Sequence, residues 1–306
     1  TETIPLGKLI TLLVDEMKSK DRLGNARVYK DFGVALNNYK KVSKIKLTDI
    51  TYSFLKGFEQ FLYQRGCTGG GIHIYMRTLR AIYNEGIKRG YVSRNEYPFK
   101  SQLNPSGYSL SNLKSVAVPR ALTLEDIEKM KAFDVKHHPK LNLPWKIFMF
   151  TYYAYGINFA DLILLKTSSI RNGRIIYKRA KTGKEYAVAI SAPMQAILDE
   201  FKRPESEYLF PILTEDQHQT LQQIQNRKHK VLSQINNGLK EIAGILGIDA
   251  SLTTYVARHT FATTLKDKGV NIALISESLG HTDLSTTKAY LKQFEQGRFD
   301  ELGELL

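Results

Sequence analysis

The residues that invite chemical attention lie late in the chain. Arg258-His259-Thr260-Phe261-Ala262-Thr263 is followed by Leu279-Gly280-His281, and Tyr290 comes nine residues after that histidine. A phenol has a free pKa near 10, so it becomes a nucleophile at neutral pH only beside positive charge or a base. An arginine stays protonated, and its planar fork can hold two oxygens of one phosphate at once. The set therefore suits attack on a phosphate ester: Tyr290 as nucleophile, Arg258 to neutralise the non-bridging oxygens and favour the phenolate, His281 to hydrogen-bond the phosphate. A bond stored as phosphotyrosine keeps the energy of the ester it replaces, so resealing needs no ATP. One tyrosine among 17 means little alone; its position after Leu279-Gly280-His281 sets Tyr290 apart. No metal or cofactor is expected: none of the seven histidines sits in an HExxH-like pattern, and the single cysteine, Cys67, excludes a cysteine-based zinc cluster and an internal disulfide.

These residues need elements to hold them. Apolar and polar periodicity predicts helices over Arg258-Lys268 and Ile272-Leu279, with a helix capped by Ser285 carrying Tyr290. Further upstream, Arg174-Tyr177 and Glu185-Ile190 read as two strands joined by the turn Lys181-Thr182-Gly183-Lys184, a hairpin with a basic tip. Helices are expected around Pro144-Gly156, Phe159-Leu165, Met194-Phe201 and Leu221-Ile245, and Thr123 opens a capping box before Ile127 and Met130.

The first hundred residues read as a helical module. Helices are expected at Leu6-Lys18 and Ala26-Tyr39, then one capped by Thr48 and stopped by Gly66, then one with Ile72, Met76, Leu79, Ile82 and Tyr83 on its apolar stripe, stopped by Gly90. Residues 104–119, with Pro105, Gly107 and several Ser and Asn, have the composition of a linker. The expected organisation is 1–103, a helical bundle; 104–119, an interdomain linker; 120–306, a catalytic domain. The fold class is mainly α, with a small antiparallel sheet in the second domain.

The 306 residues carry 44 Lys and Arg against 30 Asp and Glu, a net charge of +14, which favours a polyanionic partner, nucleic acid first. Residues 1–110 hold 18 of those cations against 9 acids. A well-solvated bundle would show the same excess, while the interleaved aromatic residues suit a module that grips duplex DNA. No apolar run reaches the length of a membrane span, and the chain reads as soluble, in a reducing cytoplasmic compartment and associated with the nucleoid. It begins at Thr1, as expected of a piece of a longer protein.

The order and spacing of Arg258, Leu279-Gly280-His281 and Tyr290, with the Lys181 turn upstream, resemble the signature of tyrosine recombinases and phage integrases. The helical first domain, ending in Tyr97-Pro98-Phe99, resembles the SAM-like core-DNA-binding module of integrases from transposons and invertible DNA switches. The resemblance implies site-specific recombination through a covalent 3′-phosphotyrosine, Lys181 as general acid to the departing 5′ oxygen, a clamp on double-stranded DNA and a homotetramer on paired sites, with accessory DNA-bending or directionality proteins as further partners. Two positions depart from the family pattern. Asn158, in Gly156-Ile157-Asn158, stands where the first arginine belongs, and Tyr255 stands where a histidine precedes Arg258. Asn158 brings no charge, and a phenol cannot replace an imidazole base. Either the chain is impaired or another cation substitutes. The preferred candidate is Arg179, two residues before Lys181: residues two apart in a strand point to the same face, so the two are expected to approach one phosphate together. The transposon integrases that the chain resembles lack the same arginine. Asp161 is expected to orient an arginine or the site's backbone. The rival readings are a type IB topoisomerase and a DNA-binding regulator that kept the fold without the activity. The apolar tail, with Phe294, Phe299, Leu302, Leu305 and Leu306, suits docking on a neighbouring subunit or folding back on its own domain.

Overall fold

The computed structural model describes residues 4–113, 121–280 and 287. The chain divides into two compact units, Thr1–Ala117 and Val118–Leu306. Among the described residues the structure is mainly helical, with one three-stranded sheet.

The first unit is built on four helices: α1 (Leu6–Ser19), α2 (Leu23–Tyr39), α3 (Tyr52–Gln64) and α4 (Gly69–Lys88). The Thr51 and Thr68 hydroxyls accept from the amides of Phe54 and Gly71, satisfying donors that the first turns of α3 and α4 leave open. The α3 cap is thus Thr51 rather than the expected Thr48, which lies in the preceding 3-10 turn. Gly66 and Gly90, at φ +78° and +75°, supply the left-handed turns that end the two helices. One apolar core joins all four, with Phe32, Phe58, Leu79, Ile82 and Tyr83 fully enclosed. At the rim, Arg89 binds both carboxylate oxygens of Glu16 at 2.9 and 2.8 Å and one of Glu85 at 2.9 Å, tying the end of α4 to α1.

The stretch expected to be a linker is not one in its first half. Tyr108, Leu110 and Leu113 are buried in the core of the first unit. Tyr108 pairs backbone to backbone with the 98–100 segment and donates its hydroxyl to Glu59 at 2.7 Å. Gly107 passes so close to Phe99 that a Cβ there would stand 2.5 Å from the Phe99 carbonyl carbon. Three apolar anchors spaced among turn-forming residues show no period, so composition alone read the segment as loose.

The second unit centres on α6 (Asn142–Tyr153), which is apolar nearly all round and is packed by α8 (Ala192–Phe201), α9 (Leu221–Leu246) and α10 (Thr254–Asp267). Gly238 of α9 makes room for Pro144, whose ring would meet a Cβ at 2.5 Å. α5 (Leu124–Ala132) leads in, with the Thr123 hydroxyl accepting from Asp126 N. α6 stops earlier than the expected Gly156, because Tyr155 and Gly156 both take positive φ, +56° and +67°. α7 is one short turn, Phe159–Leu162. The strands β1 (Ile170–Arg171), β2 (Arg174–Lys178) and β3 (Glu185–Ala189) form an antiparallel sheet in that order, with Tyr177 opposite Tyr186. α11 (Ile272–Leu279) ends on Gly280 at φ +68°. His281, Tyr290 with its helix, and the apolar tail lie outside the described residues.

Candidate active site

Arg258 sits on the buried face of α10, 6% exposed. Its Nη1 donates to the Gly156 carbonyl and its Nη2 to the Leu279 carbonyl, each at 2.5 Å. The guanidinium thus joins the turn after α6 to the end of α11, immediately before His281. Gly156 is required twice over: its φ is left-handed, and a Cβ would press to 2.8 Å from Arg258 Cγ.

Arg179 arrives at the same place from the hairpin. Its Nη1 lies 3.4 Å from both the Leu279 and the Gly280 carbonyl oxygens, so Leu279 O receives two arginines. Its side chain is 14% exposed, and its Nε stands 4.0 Å from Asp161 Oδ2. The other Asp161 oxygen accepts from Ala180 N at 2.9 Å, so this buried carboxylate orients both the arginine and the hairpin backbone.

The route by which sequence reasoning joined Arg179 to Lys181 does not hold. β2 ends at Lys178, and Arg179 closes the turn, its amide on Lys184 O and its carbonyl accepting from Gly183 N. Strand alternation therefore does not relate the two residues. Arg179 turns inward, whereas Lys181 is exposed on the tip and makes no side-chain hydrogen bond or ion pair with the described residues.

Asn158 is half-buried at the start of α7, where its carbonyl accepts from the amides of Asp161 and Leu162. Tyr255 is exposed on the first turn of α10, its ring meeting that of His259 edge to face at a centroid distance of 4.5 Å. Measured from Arg258, His259 is one helical step away; measured from Tyr255 it is four, which puts the two on one face.

Two tyrosines were missed by sequence reasoning. Tyr177 and Tyr186, opposite one another across the hairpin, stack at 5.2 Å and 15°. Burial pushes the Tyr177 phenol well above its ordinary value, reinforced by the Asp161 carboxylate and Tyr186 and opposed by Arg258 and Arg179. Tyr177 therefore remains a neutral phenol within reach of both arginines' fields. No group of three or more metal-ligating side chains occurs among the described residues, and no helix among them is long and apolar enough to cross a membrane.

The chain brings a buried pair of arginines to one helix end, with an acidic buttress and a basic hairpin tip, an arrangement of the kind that suits phosphate oxygens. Its fold is that of the DNA integrases. A lambda integrase dimer bound to a core site superposes with a TM-score of 0.65 at 17% identity, covering 96% of this chain and 79% of that one. The Tn1549 transposon integrase, in complex with a circular intermediate DNA, gives 0.61 at 14% identity, covering 94% and 95%. The sequence profile of the Phage integrase family matches residues 120–296, and that of the phage integrase SAM-like domain matches 6–103. The chain belongs to the phage integrase family, the tyrosine recombinases. It is similar to tyrosine recombinase XerA of Pyrococcus horikoshii, 24% identical over 79% of this chain and 90% of the relative. Tyrosine recombinase XerD of Bradyrhizobium diazoefficiens is 30% identical over 58% and 60%.

Proposed function

We propose that this chain is a site-specific recombinase that cuts and rejoins duplex DNA through a covalent 3′-phosphotyrosine on Tyr290. In the forward step the Tyr290 oxygen bonds to phosphorus and the bond to the 5′ oxygen breaks. The departing oxygen takes a proton from the Lys181 ammonium. In the reverse step a 5′ hydroxyl from another strand attacks, and the proton returns to Lys181. Arg258 and Arg179 neutralise the phosphate oxygens, with Arg179 in place of the arginine that Asn158 replaces, and His281 donates to the same group. Asn158 and Tyr255 contribute hydrogen bonds rather than charge.

The observation that carries this reading is the meeting of Arg258 and Arg179 at the Leu279 carbonyl. Each guanidinium donates to backbone carbonyls here, and an ionised phosphate is the stronger acceptor, so exchanging a carbonyl for a phosphate oxygen is favourable. Relatives named as recombinases, and solved neighbours named as integrases, favour recombination over relaxation by a topoisomerase or a non-catalytic regulator. Among those neighbours a lambda integrase tetramer is bound to a Holliday junction, which supports four protomers on two sites here. Accessory DNA-bending or directionality proteins remain part of the proposal. So do a clamp by the two units around the duplex and an assembly role for the apolar tail.

The test is a nicked suicide duplex carrying the protein's own site, which traps the cleaved strand. A denaturation-resistant adduct is expected with the wild type and none with Tyr290→Phe. Absence of a wild-type adduct would sink the catalytic reading, and an adduct that survives Tyr290→Phe would sink the nucleophile.

A further inference from the structure

Tyr186 holds a place in the second unit that the reaction outlined above does not use. It lies on β3, two residues beyond Lys184, and its ring is held on the hairpin: Tyr177 stacks on it at 5.2 Å and the Lys184 ammonium sits 5.7 Å from its centroid. Its hydroxyl is buried and has no hydrogen-bond partner among the described residues. A buried phenol normally finds a partner; this one is pressed against the backbone of Gly280. A Cβ at Gly280 would overlap that hydroxyl, so the left-handed glycine after α11 exists in the shape that Tyr186 needs. The contact is steric, the hydroxyl oxygen against the backbone with the ring behind it.

Its location gives it a task. Gly280 directly precedes His281, and Lys181 stands on the tip of the β2–β3 hairpin whose second strand, β3, carries Tyr186. Arg179 spans the same two elements by hydrogen bonds at 3.4 Å, which are long. The stiff contact between them is the tyrosine. We infer that Tyr186 is a positioning residue for strand cleavage, a wedge against Gly280 that keeps the Lys181 hairpin in register with the segment leading to His281. This rests on the assignment of Lys181 as general acid. Loss of the wedge lets the hairpin drift, and a misplacement of about 1 Å in such a group costs on the order of 10²-fold in rate.

The experiment separates positioning from folding by changing the leaving group. A duplex site is selected from a random pool with the wild-type protein, its cleavage position is mapped, and two suicide substrates are made. One carries the normal 5′ oxygen at the scissile phosphate and the other a bridging sulfur, which leaves as a thiolate without needing a proton. Single-turnover adduct formation is measured for the wild type, Lys181→Ala, Tyr186→Ala and Tyr186→Phe, with melting temperature and DNA binding as controls. Tyr186→Ala is expected to bind DNA normally, to lose on the order of 10²-fold on the oxygen substrate, and to recover on the sulfur substrate alongside Lys181→Ala. Tyr186→Phe, which keeps the ring stacked on Tyr177 but removes the hydroxyl that meets Gly280, shares both the loss on oxygen and the recovery on sulfur. If Lys181→Ala recovers on sulfur while Tyr186→Ala loses nothing on oxygen, or stays slow on sulfur, the wedge is wrong and the general acid stands. A Phe variant as fast as the wild type on oxygen overturns it too. If Lys181→Ala does not recover on sulfur, the general-acid assignment fails, and the inference about Tyr186 falls with it.

Discussion

The two units spend their interiors differently. Among the described residues of the first, Thr78 is the one buried polar side chain; the rest of the core is aliphatic and aromatic, and charge is held at the rim, as in the Arg89, Glu16 and Glu85 cluster. The second buries Lys146, Asp161, Arg258 and a group of Ser and Thr residues. Burying ions costs several kcal/mol each unless they are paired and hydrogen-bonded, so a unit that does it repeatedly has given up packing energy for chemistry. Lys146 illustrates the cost: it pairs with Glu200 and lies over the Phe201 ring, and desolvation still holds its pKa down. The first unit is built to be stable and to present its surface, the second to place charges.

If that contrast is right, changes in the two units should be read by different instruments. The largest effect is expected from Arg258→Ala, which should slow single-turnover adduct formation by about 10³-fold, the upper range for removing a donor to a developing anion. A loss below tenfold would show that the buried guanidinium is a structural strut. Next comes Arg179→Ala, with a loss of about 10²-fold on the same assay. Asn158→Ala should cost far less, and if the two losses were equal the replacement of the missing arginine by Arg179 would be refuted. Ile82→Val, in the fully apolar core of the first unit, should cost about 1 kcal/mol in urea unfolding and leave the cleavage rate of DNA-bound protein unchanged. A changed rate would mean that the first unit does more than hold DNA.

The smallest expected effect concerns pH. Hydrogen bonds from Arg89 hold the Glu16 carboxyl below its ordinary 4.5. A carboxyl depressed in the folded state adds stability that is present above its unfolded pKa and is lost as pH falls through the folded value. The deficit of Arg89→Ala relative to the wild type should therefore shrink below about pH 4.5, as melting curves at pH 6 and pH 3 can show. An unchanged deficit would place the role of Arg89 in packing rather than in charge.

What could be read from the sequence follows from the kind of order involved. The stripe of α4 and the strands around the Lys181 turn repeat locally, and periodicity found them. Arg258 was singled out by its spacing to Leu279-Gly280-His281. The linker was misjudged where Tyr108, Leu110 and Leu113 reach the core without a period. The inward turn of Arg179 depended on β2 stopping at Lys178, and strand ends are set by pairing rather than by composition. Tyr186 had no signal beyond sitting opposite Tyr177, because its partner is the backbone of a glycine about a hundred residues away.

Thr260 follows Arg258 by two residues on α10. Its hydroxyl accepts from the Leu122 amide at 3.0 Å and donates to Val256 O at 2.9 Å, all within the protein interior. Leu122 is among the first described residues after the stretch that joins the two units. The first described backbone of the second unit is thus pinned, by a single hydrogen bond, to the helix that carries the arginine. Arg258 therefore stands on a helix whose opening turns are moored to the threshold of its own unit, so the setting of the guanidinium and the seating of that threshold are one arrangement.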